Sequence, residues 1–573
     1  MAASPAKTAR PPLAFLPEAM GVVCWSASGG LRRWVRRSWL YRGLLKGPLA
    51  DRIAVHPFDA LPRKLDEADA LLRGRFRFQG EAVDADNHSI FDYPAPSAEW
   101  NEALHGFDWM PPLSAAGGEA ARTLATNLLS QWLKRNARYT EPAWLPHVMA
   151  RRLIALFAHG RFILSNSEVM WRSKVFVSLR EQSRMLARTA GEAPEGLPRL
   201  EAAAGLALSG ACLSDSPRRL QAGLARLEAE LARQILPDGG HISRSPEKLV
   251  LAFRLVLMVM DALTAANKIV PPGLRGAHDR MAPMIRFFRH GDGSLALFNG
   301  GGEGDARMIA GLLSRDDVRG QPFAYARHSA YQRLAAARTL VLLDCGSPPP
   351  PAFSANAHAG CLAFELSAGP HRMIVNCGTA ALASHRRWHP ALRATAAHST
   401  VTLADTSSSI VLREGWTSRR LGARLIHGPA EIETRRVETE KGWTVVASHD
   451  GYLHSFGVRH ERELTLSPQG LALTGIDRLL PKDLRKRAAI PFAVRFHVHP
   501  DVRVSTAQSG DIILKLPSGE GWRFRASLPV AVEESVYLGG DTVRRCEQLV
   551  IAGNVKNEPV EIGWLFEQIG MNL

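Results

Sequence analysis

The chain has 573 residues, more than one hydrophobic core accommodates, so two or three domains are expected. Its apolar content is ordinary for a globular protein, which excludes a disordered or fibrous chain, and no apolar run reaches the roughly eighteen residues a membrane span needs. A net charge of +16 favours acidic polymers or surfaces as partners, but no RNP, zinc-finger or helix-turn-helix pattern accompanies it, so nucleic acid is not expected. Six scattered cysteines without a CxxC pair argue against a disulfide framework or structural zinc.

The first fifty residues form a basic segment. Lys7 and Arg10 precede PPLAFLPEAMGVVC, whose prolines and Glu18 spoil an export signal. Leu31 to Leu49 is basic and aromatic at helical spacing, which suits an anionic membrane surface or a helix packed on the next domain. RFRFQGEAVD then alternates like a short hairpin. Ala103 to Leu113 is aromatic and ends in two prolines; Trp109 there is a candidate for stacking on a sugar ring, or an anchoring plug between helices.

From about Ala120 the apolar period becomes 3.6, and seven or more amphipathic segments with Gly, Pro or Ser breaks follow. Without a TPR or ankyrin signature this predicts an α/α toroid, an incomplete helical barrel, over residues 51–325. Two loops stand out. LPDGGHISRSP presents His241, Ser243 and Arg244 before Pro246 opens a helix, and HGDGSLALFNGGGEGD has the glycines of a flexible rim. From about Tyr325 the period drops to two, and more than a dozen strand-like runs predict an antiparallel β-sandwich over residues 326–573.

Ser354 to Asp405 concentrates the polar chemistry. His358 precedes the strand LAFELS, RMIVNCG reads as its hairpin partner, and Arg393 and His398 lie ahead of and inside a third alternating run. Two histidines forty residues apart meet only if their strands neighbour each other in one sheet. With Arg393, Asn376 and several glycines beside them, they form a candidate site.

The order of helices then strands, together with AHAGCLAFELSAG, RMIVNCG, RATAAHSTVTLAD, LPDGGHISRSP and RHGDG, resembles the heparinase II/III-like family of polysaccharide lyases. The resemblance implies β-elimination on a uronic-acid polysaccharide in a cleft between toroid and sandwich, in the periplasm or cell envelope. Such chemistry needs a neutralised carboxylate, a base for the C5 proton and an acid for the leaving oxygen. His358, His398 and Arg393 match family motif positions. Arg393 and Arg244 would neutralise the uronate, one histidine of His358, His398 and His241 would be the base, and Asn356, Lys248, Trp109 and Tyr331 would contact substrate.

The departures matter equally. Ser399 replaces the motif's asparagine, Asn356 stands where some members have a catalytic histidine, and Glu247 and Lys248 follow Ser245 and Pro246 where a tyrosine is expected. In members that hold zinc, an aspartate joins the two histidines, and here that position is Asn376, a far poorer ligand, so no metal or other cofactor is expected. Either a divergent set including His241, Arg244, Lys248, His358 and Tyr331 catalyses, or the chain binds acidic glycan without cleaving it. On the catalytic reading Arg244→Ala abolishes turnover and leaves the fold intact.

Overall fold

The computed structural model describes residues 43–570, with 34–36, 38 and 41 before them, except 63, 86–87, 166, 214–216, 316–321, 413–421, 441 and 483–487. Most of the basic N-terminal segment therefore lies outside the described residues. Its end is fastened to the helix Val169–Thr189, where Arg180 donates to the Gly47 carbonyl (3.1 Å), Arg188 to that of Leu44 (3.1 Å), and Leu45 is buried. Of the two readings of this stretch, packing against the next helices holds for residues 43–50.

The RFRF hairpin forms as expected, Arg75–Phe78 pairing antiparallel with Glu81–Asp84. Gln79 and Gly80 both take positive φ, which lets the two-residue turn follow the strand twist. Between this hairpin and residue 314 the described residues are mainly helical. The helices Pro146–His159, Pro217–Gln234, Pro246–Ala265 and Pro272–Phe288 each open on proline, whose fixed φ and missing N–H suit a first turn. Leu197–Cys212 and Pro217–Gln234 touch almost backbone to backbone: a Cβ on Gly210 would lie 2.3 Å from the Leu220 nitrogen, and one on Gly223 2.5 Å from the Ala207 Cα. A side chain at either glycine would force the pair apart. One apolar core, from Leu45 to Leu342, runs through this part.

The aromatic stretch at 103–113 is a correction. It belongs to two short helices, Ala98–Gly106 and Met110–Ala116, with Pro111 and Pro112 in the first turn of the second. Trp109 is completely buried, its indole N–H donating to the Leu104 carbonyl and its ring 4.7 Å from that of Phe107. It is a plug and offers no face to a sugar.

Beyond Tyr325 the fold is β. Among the described residues, eight strands make one sheet, in the order Ile432–Thr439, Gly442–His449, Val458–Leu466, Ala472–Pro481, Val560–Ile569, Gly521–Ala526, Ile512–Lys515 and Arg503–Thr506. Nine strands make the other; its middle pairs Arg544–Val555 with Ile490–Val498, then His371–Val375, Phe364–Ala368, Thr339–Asp344 and Tyr331–Ala336. All pairings are antiparallel. One core lies between the sheets, where Phe364 of one stacks on Trp564 of the other at 5.5 Å. The expected 362–378 hairpin exists, with Ala368 opposite His371. The third run is shorter than expected: only Val401–Leu403 is strand, it pairs with Ile490–Val498, and His398 sits just ahead of it after a 3-10 turn at Thr395–Ala397.

A buried polar cluster crosses this core. The Asp477 carboxylate accepts from Arg462 Nε (2.8 Å) and Nη2 (3.0 Å), His460 Nε2 (2.8 Å) and Trp564 Nε1 (2.9 Å). Arg462 Nη1 continues to the carbonyls of Leu362 (2.8 Å) and Ser399 (2.7 Å), so one guanidinium fixes the backbone beside His398 to the opposite sheet. Removing one partner of such a pair strands the other's charge. Arg462→Met is therefore expected to destabilise by about 3–5 kcal/mol, read as a lower urea midpoint. An unchanged midpoint would remove this cluster from the account of stability.

Candidate functional site

The two loops singled out in the helical part both end on the nine-stranded sheet. Arg244, at a φ of +59°, projects from the first loop and pairs with Asp344 (Nη2 to Oδ1, 2.5 Å). It also donates to the carbonyls of Ser329 (2.9 Å), Gly346 (3.1 Å) and Ser347 (3.1 Å). Its guanidinium lies 4.6 Å from the Tyr331 ring centre, and the Tyr331 hydroxyl donates to the Arg244 carbonyl (2.7 Å) and accepts from Asn299 (2.8 Å). Both side chains are buried. Arg244 therefore has its charge and donors committed within the protein, and Tyr331 its hydroxyl.

His241 is spent in the same way. Its Nδ1 accepts the Ser243 N–H (3.1 Å), which leaves Nε2 carrying the proton toward Gln234 Oε1 (3.2 Å). Burial, and then the charge of Lys248, push its pKa down to about 3. It closes its own loop and presents no free nitrogen.

The second loop is held by a residue that the strand pattern concealed. Glu365 sits with no exposure inside the strand Phe364–Ala368. It accepts from His290 Nε2 (2.9 Å), the backbone N–H of Leu297 (3.1 Å) and of Asn376 (3.2 Å), and Asn376 Nδ2 (3.3 Å). The one available signal was a single acid flanked by apolar residues in LAFELS. The glycines at 300–302 are buried, not a flexible rim: a Cβ on Gly300 would lie 2.2 Å from the Asn356 carbonyl oxygen. Their role is close approach between helical part and sheet.

His358 and His398 do meet, though not by the expected pairing of their strands: Val401–Leu403 pairs with Ile490–Val498, whereas Phe364–Ala368 pairs with Thr339–Asp344 and His371–Val375, and the rings meet through the segments that precede the strands. His358 Nδ1 is 3.1 Å from His398 Nε2, with the rings at 78°. His398 Nδ1 lies 2.9 Å from the Ala394 carbonyl, which can only accept, so that nitrogen carries the proton. Burial pushes the His398 pKa down to about 4, so its Nε2 is a bare acceptor for His358 Nδ1–H. The Nε2 of His358 is then left with a lone pair and has no hydrogen bond among the described residues. Burial first, and then the charges of His398, Arg393, His389 and Lys248, hold the His358 pKa well below the usual value.

Arg393 is buried and donates to the carbonyls of Ala357 (2.8 Å), Ser354 (3.1 Å) and Ala423. No carboxylate pairs with it among the described residues, and burial pushes its pKa down to about 10. Lys248, half-buried in the first turn of Pro246–Ala265, makes no hydrogen bond or ion pair among the described residues. Asn356 is half-buried with its side-chain amide likewise unbonded.

The metal position does not fit an ion. Two imidazole nitrogens face each other, but the Asn376 Oδ1 accepts the Ser399 N–H (3.1 Å) and its Nδ2 donates to Glu365 and to the Leu297 carbonyl (3.2 Å). No third anionic ligand joins them, and no group of three His, Cys, Asp or Glu capable of holding a metal occurs among the described residues.

Residues 318–565 match the family described as heparinase II/III-like, C-terminal. The chain is 33% identical over 567 residues to the FtsZ-localized protein C of Caulobacter vibrioides, covering 95% of this chain and 96% of that protein. Among solved structures it is similar to a heparinase III, with a TM-score of 0.70 at 13% identity over 92% of this chain and 88% of that one. It is also similar to the heparan sulfate lyase HepC from Pedobacter heparinus, at 0.57 and 17% over 93% and 88%. At those identities the structures speak for the fold alone.

Two outcomes follow from the geometry. Arg244→Ala strands Asp344 at the junction and is expected to cost about 3–5 kcal/mol, so the expectation that it leaves the fold intact is replaced by a lowered denaturation midpoint. Wild-type stability in that variant would contradict a fastening role for the Arg244–Asp344 pair. His241 and His398, with His497, whose pKa burial pushes to about 3, are neutral in the fold but take up protons in the unfolded chain below about 6.5. Their contribution is present above that pH and is lost toward pH 4 at roughly 1.4 kcal/mol per unit for each group. Urea unfolding is expected to show a midpoint falling between pH 7 and 5; a level profile would contradict it.

Proposed function

The chain belongs to the heparinase II/III-like family, and from that premise we propose that it is a non-cleaving member that holds an acidic, sugar-like ligand and works at the division site together with FtsZ. The helical part is read as the family's incomplete toroid. The observation that carries the proposal is the commitment of the expected catalytic groups to internal bonds. Arg244, which was to neutralise the uronate, neutralises Asp344 instead, and His241 and Tyr331 have no group to offer. The division role is taken from the full-length similarity to the FtsZ-localized protein.

A lyase reading is favoured by one feature, the open Nε2 of His358. Elimination would require that nitrogen to take the proton next to the substrate carboxylate, and a second group to protonate the leaving oxygen. A base held well below its usual pKa has little driving force for the first step, and for the second the tyrosine expected after Ser245 and Pro246 is replaced, leaving the Lys248 ammonium as the unbonded proton donor whose charge reaches His358.

Incubation with a panel of acidic polysaccharides is expected to produce no ultraviolet absorbance of an unsaturated uronate. Appearance of that product would end the non-cleaving reading. A fluorescent fusion is expected to gather at the division site and to disperse when FtsZ is depleted. Fluorescence spread evenly through the periplasm, the location implied by the lyase resemblance, would end the division reading.

A further inference from the structure

Away from the junction, a cavity of about 360 Å³ opens where the end of the N-terminal segment meets the helical part. That volume lies in the range of small-molecule sites and, at about 30 Å³ each, holds about twelve water-sized atoms. Its walls include Tyr41 and Leu45 of the N-terminal segment and Met185 of the helix Val169–Thr189. Arg138, Tyr139 and Trp144 complete them, from the connection between the helices Gly118–Arg135 and Pro146–His159. No residue beyond Met185 is among its described walls, so the sandwich takes no part and the cavity is separate from the site around His358.

The walls are fastened from behind. The Trp144 indole N–H donates to the Asn136 carbonyl (3.1 Å) and the Tyr139 hydroxyl to Glu141 Oε1 (3.0 Å). Arg36, also on the cavity, bonds Glu192 Oε1 (2.5 Å) and so ties the segment to the turn that follows the helix Val169–Thr189. With their polar atoms satisfied, Tyr139 and Trp144 present ring carbon to the cavity, and the flexible Met185 thioether adapts to what lies against it. Such walls suit a flat ring.

Charge selects the rest of the ligand. Glu192 is engaged by Arg36, Glu141 by Tyr139, and Glu181, buried in the wall, already has a partner. Arg138 is the exception: it is exposed at the cavity and makes no hydrogen bond or ion pair among the described residues. A guanidinium meets a carboxylate through two parallel N–H bonds, a fit that a cationic or uncharged ligand does not offer.

We propose that this cavity binds a small aromatic carboxylate, with the ring among Tyr41, Tyr139 and Trp144 and the carboxylate on Arg138. The site is independent of the division-site reading and of any sugar ligand. Because its walls come from both sides, the bound molecule joins the end of the N-terminal segment to the helices.

Calorimetric titration of the full chain with 2-naphthoate, a ring acid of this size, tests the site. Laurate, acetate and 2-naphthylmethylammonium are the controls, offering a chain in place of the ring, the acid alone, and the ring with the opposite charge. 2-Naphthoate is expected to bind, and each control roughly tenfold or more weakly. Arg138→Gln is expected to lose roughly tenfold or more in affinity at an unchanged melting temperature, since the exposed side chain it replaces is bonded to nothing among the described residues. Ala137→Phe, which fills the cavity from its exposed rim, is expected to block binding. The proposal is overturned if 2-naphthoate does not bind, if any control binds as tightly, or if either variant binds it like the wild type. Detection of unsaturated uronate would end the non-cleaving reading and leave this site standing, whereas absent naphthoate binding with FtsZ-dependent localisation intact would sink the site alone.

Discussion

The ion pair between Arg244 and Asp344 is the constraint on which the arrangement of the site depends. A guanidinium from an interhelical loop is buried against a strand one hundred residues later, and desolvation makes that arrangement favourable only because a carboxylate and several carbonyls meet it. The left-handed backbone at Arg244 is the local strain accepted to aim it. With His290 and Glu365 doing the same for the second loop, the helical part is bolted to the sheet at two points. Polar groups that line a ligand site in an open arrangement are here the fasteners.

That use of polar groups explains the electrostatics nearby. His241, His358 and His398 have pKa values moved down, by burial before any charge. Such imidazoles serve as neutral hydrogen-bonding units whose tautomers are set by backbone carbonyls and amides. Asn376 belongs to the same logic: its amide both donates and accepts, and a carboxylate there would face Glu365 without a proton to share.

Much of this was legible in the sequence. The change of period near Tyr325 separated helices from strands, and the motif around His358 and His398 foretold that the two rings would meet, which they do at 3.1 Å. Side-chain fate was not legible. Arg244 read as available to substrate because local pattern carries no record of a partner one hundred residues on, and Trp109 was left open between stacking and plug until its bond to the Leu104 carbonyl settled it as a plug. The glycines at 300–302 signalled freedom when their cause was lack of room. Glu365 was passed over because alternation in a strand assigns polar residues to the outside, and this strand is covered on both faces.

The position of Val560–Ile569 between Ala472–Pro481 and Gly521–Ala526 has a bearing on how the chain is made. Strand Ala472–Pro481 leaves the ribosome with one edge paired to Val458–Leu466 and the other bare, and its proper neighbour is synthesised long afterwards. The indole of Trp564, which supplies the fourth donor to Asp477, arrives with that neighbour. Until then a buried-to-be carboxylate and an open strand edge face water or other chains. Completion of the eight-stranded sheet therefore waits on residues 560–569, and the interval before they are made is when this strand edge is most open to misassembly.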